Sequence, residues 1–154
     1  MRIREPRTPG AQNNPDVSPD GRWLAYQSDE SGVTEVYVRP FPNVSDARWQ
    51  VSTAGGRQPL WASDGRELFY LDRDDFLTVV AVPPSTTFSA GQPTRVLATR
   101  YPSPGQNRAY DVSPDGERFL MMKDAAAERT ADKPANIVVV LTWIEELKRL
   151  LPTQ

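Results

Sequence analysis

The sextet DVSPDG occupies positions 16–21 and returns letter for letter at 111–116. Between the two copies, LWASDGRELFY (60–70) keeps the same order of an apolar stretch, a Ser/Asp/Gly turn and a hydrophobic run. Three copies of one unit make a repeat architecture, and a repeat constrains the fold more tightly than any isolated motif. The aligned glycines Gly21, Gly65 and Gly116 stand 44 and 51 residues apart. Such a period holds four short strands and their turns.

Local chemistry explains the turn. In Ser18-Pro19-Asp20-Gly21, serine suits the first position of a type I turn and proline presets φ at the second. Aspartate suits the third, and glycine takes the positive φ that closes a hairpin with a bulge. Asp64-Gly65 and Asp115-Gly116 repeat it, with Ser63 where the other copies have proline. Asp20, Gly21, Asp64, Gly65, Asp115 and Gly116 therefore read as structural turn residues that make the same corner three times. The alternative is that Asp20, Asp64 and Asp115 gather into a carboxylate cluster.

Strand-like runs follow each corner. RWLAYQS (22–28), TEVYVRPF (34–41) and ARWQVST (47–53) join the PDVS approach to form the first unit. QPLWA (58–62), RELFYL (66–71), FLTVVAV (76–82) and PTRVLAT (93–99) form the second. NRAYDVS (107–113), ERFLMMK (117–123) and NIVVVLTW (136–143) form the third. FLTVVAV and NIVVVL are apolar at successive positions, so both faces of those strands need cover, as in sheets stacked on neighbouring sheets.

The predicted fold is all-β, a single partial β-propeller domain over residues 1–154. It has about three four-stranded antiparallel blades, at about 13–56, 57–100 and 101–143. The third unit has no fourth strand. After Trp143 the spacing of Ile144, Leu147 and Leu151, with Glu145 four residues before Arg149, predicts a short helix over about 143–151 that caps the last blade. DAAAERTADKPA (124–135) reads as a loop or a frayed helical turn.

Composition narrows the chemistry. The chain has 18 basic and 20 acidic residues and a net charge of −2, which gives no field that would recruit nucleic acid or an anionic membrane. It holds no cysteine and no histidine, so Ser-His-Asp and Cys-His arrangements, thiolate nucleophiles and the usual zinc ligand sets are absent from it. No cofactor or metal is expected. MRIREPRTPGAQNNP is no signal-peptide core, and IVVVL (137–141) falls far short of the roughly 20 apolar residues of a membrane helix. A soluble, cytoplasmic chain without membrane insertion is the expectation.

SPDGRWLAYQSDESGVTEVYV, with its SPDG turn, aromatic-ending strand, Ser-Asp break and Val-Tyr-Val strand, resembles the WD-like propeller repeat of TolB-type proteins over about residues 13–143. VYVRPFP, WQVSTAGG and PLWASDGRELFY, followed by the ending IVVVLTWIEELKRLLP, are also similar to the C-terminal propeller region of bacterial eukaryotic-like serine/threonine protein kinases. These resemblances imply a propeller used as a sensor or docking surface, and the first implies the bacterial envelope. The kinase motifs themselves (a glycine-rich loop, a VAIK-like lysine, HRD, DFG) are absent. WD-like repeats also stand beside the α/β-hydrolase domains of prolyl oligopeptidases, but this chain has no GxSxG elbow.

Closed propellers have four to eight blades, and three cannot close a ring. The expected function is a non-catalytic binding or scaffolding module, a half propeller that pairs with a second copy into a six-bladed ring and binds a protein or small ligand. Met1 and the ending LLPTQ favour a free-standing half propeller, and RIREP could then supply the missing outer strand of the partner's third blade. Two alternatives stay open: a carboxylate-dependent hydrolase or lyase in the channel, and a fragment of a longer sensor protein with no independent function. Trp23, Tyr26, Trp49, Trp61, Phe69 and Tyr70 are stacking candidates better read as core. Asp72, Asp74 and Asp75 in LDRDD read as a solvated turn, because no full calcium loop surrounds them. YPSPGQNR (101–108) and FPNVSD (41–46) are the recognition-loop candidates.

Overall fold

The computed structural model of the protein describes residues 11–99, 107–122 and 137–141. The expected helix at 143–151, the RIREP segment, the 124–135 loop and most of the 101–108 loop lie outside the described residues.

Strands fall where apolar and aromatic residues alternate between Gly/Asp/Ser corners. The first sheet runs β1 (Gln12–Val17), β2 (Trp23–Ser28), β3 (Glu35–Pro40) and β4 (Trp49–Gln50) in spatial order. The second repeats it with β5 (Gly56–Trp61), β6 (Glu67–Asp72), β7 (Phe76–Ala81) and β8 (Thr94–Ala98). In the third, β9 (Tyr110–Val112), β10 (Arg118–Met122) and β11 (Ile137–Leu141) lie in the same order. All pairings are antiparallel, so each sheet is a meander of strands in sequence order. Three such meanders stacked face to face make an all-β fold of propeller type.

Packing between sheets is apolar and two-sided. Trp23, Ala25, Val36 and Val38 of the first sheet meet Trp61, Leu68, Tyr70 and Val80 of the second, with Phe88 inserted between Trp23 and Trp61 at ring distances of 5.6 and 6.5 Å. The opposite face of the second sheet sends Leu60, Phe69, Leu71 and Leu77 against Tyr110, Phe119 and Met121 of the third. Phe69 and Phe119 are both fully buried and meet edge to face at 5.2 Å. The inner strands of the second sheet are therefore covered on both faces. This is why β7 lacks polar alternation: Leu77 serves one core and Val80 the other.

The link between the first two sheets is tied to the first. Glu35, buried at the start of β3, accepts the Gly55 N–H (3.0 Å) and the Ser52 hydroxyl, and the Ser52 oxygen accepts the Val36 N–H (2.8 Å). A buried carboxylate is tolerated because donors surround it. It fixes how the chain leaves one blade and enters the next.

Candidate functional site

The sheets converge along their first strands, and the side chains there form one connected polar seam. Asn14 Nδ2 donates to Gln27 Oε1 (3.0 Å), and the same oxygen accepts the Gln58 N–H (2.7 Å), joining the first sheet to the second. Gln58 continues to the third. Its Nε2 donates to the Asn107 carbonyl (2.7 Å), its Oε1 accepts the Ala109 N–H (3.1 Å), and its main-chain carbonyl accepts the Tyr110 hydroxyl (2.6 Å). The seam closes when the Arg108 N–H donates to Asn14 Oδ1 (3.0 Å), a contact across 94 residues of sequence. Burial pushes the Tyr110 hydroxyl well above its ordinary pKa, so it remains a neutral donor.

Backbone geometry makes the seam possible. Asn14 (φ 51°) and Gln58 (φ 56°) both occupy the left-handed region, and each sits in a bulge where the pairing of the first strand with the second shifts register. A non-glycine residue held there costs on the order of 1–3 kcal/mol and persists only when its surroundings fix it. The seam hydrogen bonds provide that fixation. Asn14-Pro15 and Gln58-Pro59 stand 44 residues apart, the same spacing as Gly21 and Gly65. An amide residue before proline in register with the turn was the sequence signal for this pair, and turn-centred reading passes over it.

Asp16, the first residue of the repeated sextet, is also a seam residue. Its Oδ2 accepts the Trp61 N–H of the second sheet (2.8 Å), and its Oδ1 lies 3.6 Å from the Arg108 guanidinium. It is not part of the turn.

The six turn residues line one rim of the stack. Gly21, Gly65 and Gly116 take φ of 72°, 70° and 72°, and each donates its N–H to the carbonyl three residues back, at 2.8, 2.9 and 2.8 Å. The Ser18 hydroxyl donates to Asp20 Oδ1 (2.6 Å) while its oxygen accepts the Trp23 N–H (2.9 Å), and Ser113 makes the corresponding pair with Asp115 and Arg118. These serine hydroxyls are the main cause that holds the Asp20 and Asp115 carboxyls below the usual range. The middle copy has Ala62 in place of the serine, and there Asp64 accepts the Arg66 N–H (2.9 Å). Neighbouring turns touch, since the Ser63 hydroxyl donates to the Pro114 carbonyl. They string out along the rim, and no group of three acidic side chains among the described residues is placed to hold a metal ion.

Two clefts flank the seam. On the turn side, a cleft of about 330 Å³ lies between Asp64, Glu67 and Asp115, where burial and then the Asp64 charge push the Glu67 carboxyl up. At the opposite end of the strands, Asn13, Gln27, Asp29, Thr34 and Arg57 line a polar cleft of about 160 Å³. Its groups are already positioned: Asp29 accepts the Ala11 N–H (2.7 Å), and Arg57 pairs with Asp75 and donates to the Asp72 carbonyl (2.9 Å). Amide, hydroxyl, carboxylate and guanidinium groups held at a cleft mouth suit hydrogen bonding to a small polar group.

The aromatic candidates lie outside the linings of these clefts, and LDRDD adjoins the polar one through Arg57. Trp23, Trp49, Trp61 and Tyr70 belong to the first core and Phe69 to the second, while Tyr26 stacks on Tyr37 (5.8 Å) under the Arg39 guanidinium. Burial, with Asp72 and Glu35 nearby, pushes the Tyr70 hydroxyl up to about 12. In LDRDD, Asp72 and Asp74 share Arg95 (2.6 and 2.5 Å), and Asp75 takes Arg57, so arginines hold these carboxylates. In the 41–46 loop Val44 is buried, and its carbonyl accepts from Arg39 (2.8 Å).

No protein-family model matches the chain. It is 34% identical over 108 residues to dipeptidyl aminopeptidase BI of Pseudoxanthomonas mexicana, a match covering 69% of this chain and 13% of that protein. Among solved structures it is similar to a provisionally named 6-phosphogluconolactonase from Bacteroides uniformis, with a TM-score of 0.54 and 16% identity over 86% of this chain and 41% of that one. It is also similar to TolB from Acinetobacter baumannii, with a TM-score of 0.40 and 11% identity over the same shares of each chain, 86% and 41%. The chain thus spans less than half the length of each of these proteins. The Bacteroides likeness is one of fold and agrees with the stacked four-stranded meanders.

Proposed function

We propose that the protein is a non-catalytic binding or scaffolding module, a half propeller that pairs with a second copy into a six-bladed ring and binds a protein or a small polar ligand at the ring's ends. The observation that carries this reading is the contrast between sealed and open sheet faces. Both inter-sheet layers are apolar and buried, whereas the far face of the third sheet leaves Leu120 43% and Met122 54% exposed. Propeller sheets that are apolar on both sides call for a neighbour on each. The seam supports the binding half of the proposal: its amides are spent on joining blades, which leaves a rigid scaffold with polar clefts at either end. The kinase-associated ending IVVVLTWIEELKRLLP, by resemblance, supports a sensor or docking role.

Small-angle scattering of the full chain tests the ring. Two compact copies give a radius of gyration of about 19 Å, against about 15 Å for one. The larger value, with the flat profile of a ring, is expected; the smaller one at all concentrations overturns pairing.

The 34% identity to a dipeptidyl aminopeptidase favours a second reading, in which the chain is part of a peptide hydrolase. With no histidine, cysteine or GxSxG elbow, it would there contribute a peptide-contacting surface. Release of dipeptides from chromogenic substrates by the purified chain would replace the non-catalytic reading; no turnover above the buffer blank is expected.

A further inference from the structure

We infer that the exposed face of the third sheet is the docking surface for the first sheet of a second copy, and that Asp111 takes across this new seam the part that Asp16 takes inside the chain. The inference rests on the ring reading above and specifies its contact.

Turn chemistry accounts for Ser-Pro-Asp-Gly in the repeated sextet but not for its leading aspartate. In the first copy that residue, Asp16, reaches out of its own sheet to the Trp61 N–H on the first strand of the next. The middle copy has Leu60 there, and Leu60 is buried in the second core, where Gln58 makes the bonds to the third sheet instead. The third copy restores the aspartate. Asp111 is exposed, and its Oδ1 accepts the neighbouring Val112 N–H (2.9 Å). An outward carboxylate at this repeat position is the acceptor that a following first strand requires.

The flanking residues fit the same register. Leu120 pairs directly with Asp111, so the two project from one face, opposite to the core-facing Phe119 and Met121. Counted by the repeat, Leu120 and Met122 correspond to Ala25 and Gln27, which the second sheet covers. At the other end of the stack, Val17 corresponds to Trp61 and is 41% exposed, on the face it shares with its pairing partner Leu24. That face also carries Tyr26 and Tyr37, both buried beneath Arg39, which donates to the Tyr26 hydroxyl (2.7 Å), and Arg48, which stacks over Tyr37 at 5.0 Å and pairs with Glu30. One end thus offers a carboxylate and two half-exposed apolar side chains; the other offers an inner-strand N–H at Val17, a half-exposed valine and the Arg39 guanidinium, with Arg48 beside it shared with Glu30. These are complementary, and a two-fold pairing uses both ends of both copies at once.

The absence of cysteine makes the contact directly testable by cross-linking. A chain carrying Val17→Cys and Leu120→Cys, with Asp111 retained, is expected on treatment with a short bismaleimide to give a covalent species of twice the chain mass, with neither single variant doing so. Asp111→Ala is expected to raise the dimer Kd at least tenfold, and Leu120→Arg to abolish pairing. Since Asp111 and Leu120 are exposed, the thermal melt of the dissociated chain should be unmoved by either change. A wild-type dimer whose Kd ignores both substitutions, and whose double variant does not cross-link, overturns this seam while leaving the ring reading in place. A wild-type chain that stays monomeric overturns both, and points to a sheet from another polypeptide as the cover.

Discussion

Ser18 shows how much one hydroxyl decides. It is buried, accepts the Arg22 and Trp23 N–H groups at 3.2 and 2.9 Å, and donates to Asp20. Ser18→Ala leaves a buried N–H without its acceptor and should cost on the order of 1–3 kcal/mol, read as a fall in melting temperature. The same change should return the Asp20 titration toward the ordinary aspartate value, measurable by carboxyl NMR. The sign follows from the depressed carboxyl: the part of the stability difference that depends on ionised Asp20 is full above the ordinary value of 3.8 and vanishes as pH falls through the lower folded value. Gly56 is constrained by space. A Cβ there would lie 2.4 Å from Ser52 Oγ and 2.6 Å from Ser52 Cβ, and Ser52 is held by Glu35 and Val36. Gly56→Ala should therefore destabilise by about 1–3 kcal/mol through overpacking, whereas an alanine at a glycine with open space around it would meet only the φ penalty.

At the scale of the element, each strand's value lies in which neighbour its two faces serve. Phe69 is fully buried against Phe119, so Phe69→Ala should cost on the order of 3–5 kcal/mol. Its effect should be local: amide exchange should accelerate first in β9 and β10, which depend on the second core, with β2 and β3 protected. The strands themselves were legible in the sequence because Gly21, Gly65 and Gly116 punctuate them and because WLAYQS, ELFYL and FLTVVA carry strand-forming residues. The seam was not. Asn14 and Gln58 act through a positive φ and through partners 13 to 94 residues away, and no local pattern encodes which distant N–H an amide oxygen will meet. Asp16 is hidden for another reason: it stands in the PDVS approach to a turn that accounts for the motif, and nothing local shows that its carboxylate reaches the next sheet.

For the whole molecule, the repeat fixes a direction of stacking and leaves two unlike ends. The first sheet presents Val17 with Arg39 and Arg48, the third presents Asp111, Leu120 and Met122, and the sealed layers between them show what a covered face looks like here. On the proposed pairing, the three blades find their closure in a second copy, which would supply both end contacts by one symmetry operation. The absolute mass in solution, followed by light scattering on a sizing column through a dilution series, bears on this most directly. The account predicts a species of twice 17.2 kDa that dissociates only at high dilution. A mass of 17.2 kDa at every concentration, from a chain that melts cooperatively, would contradict it.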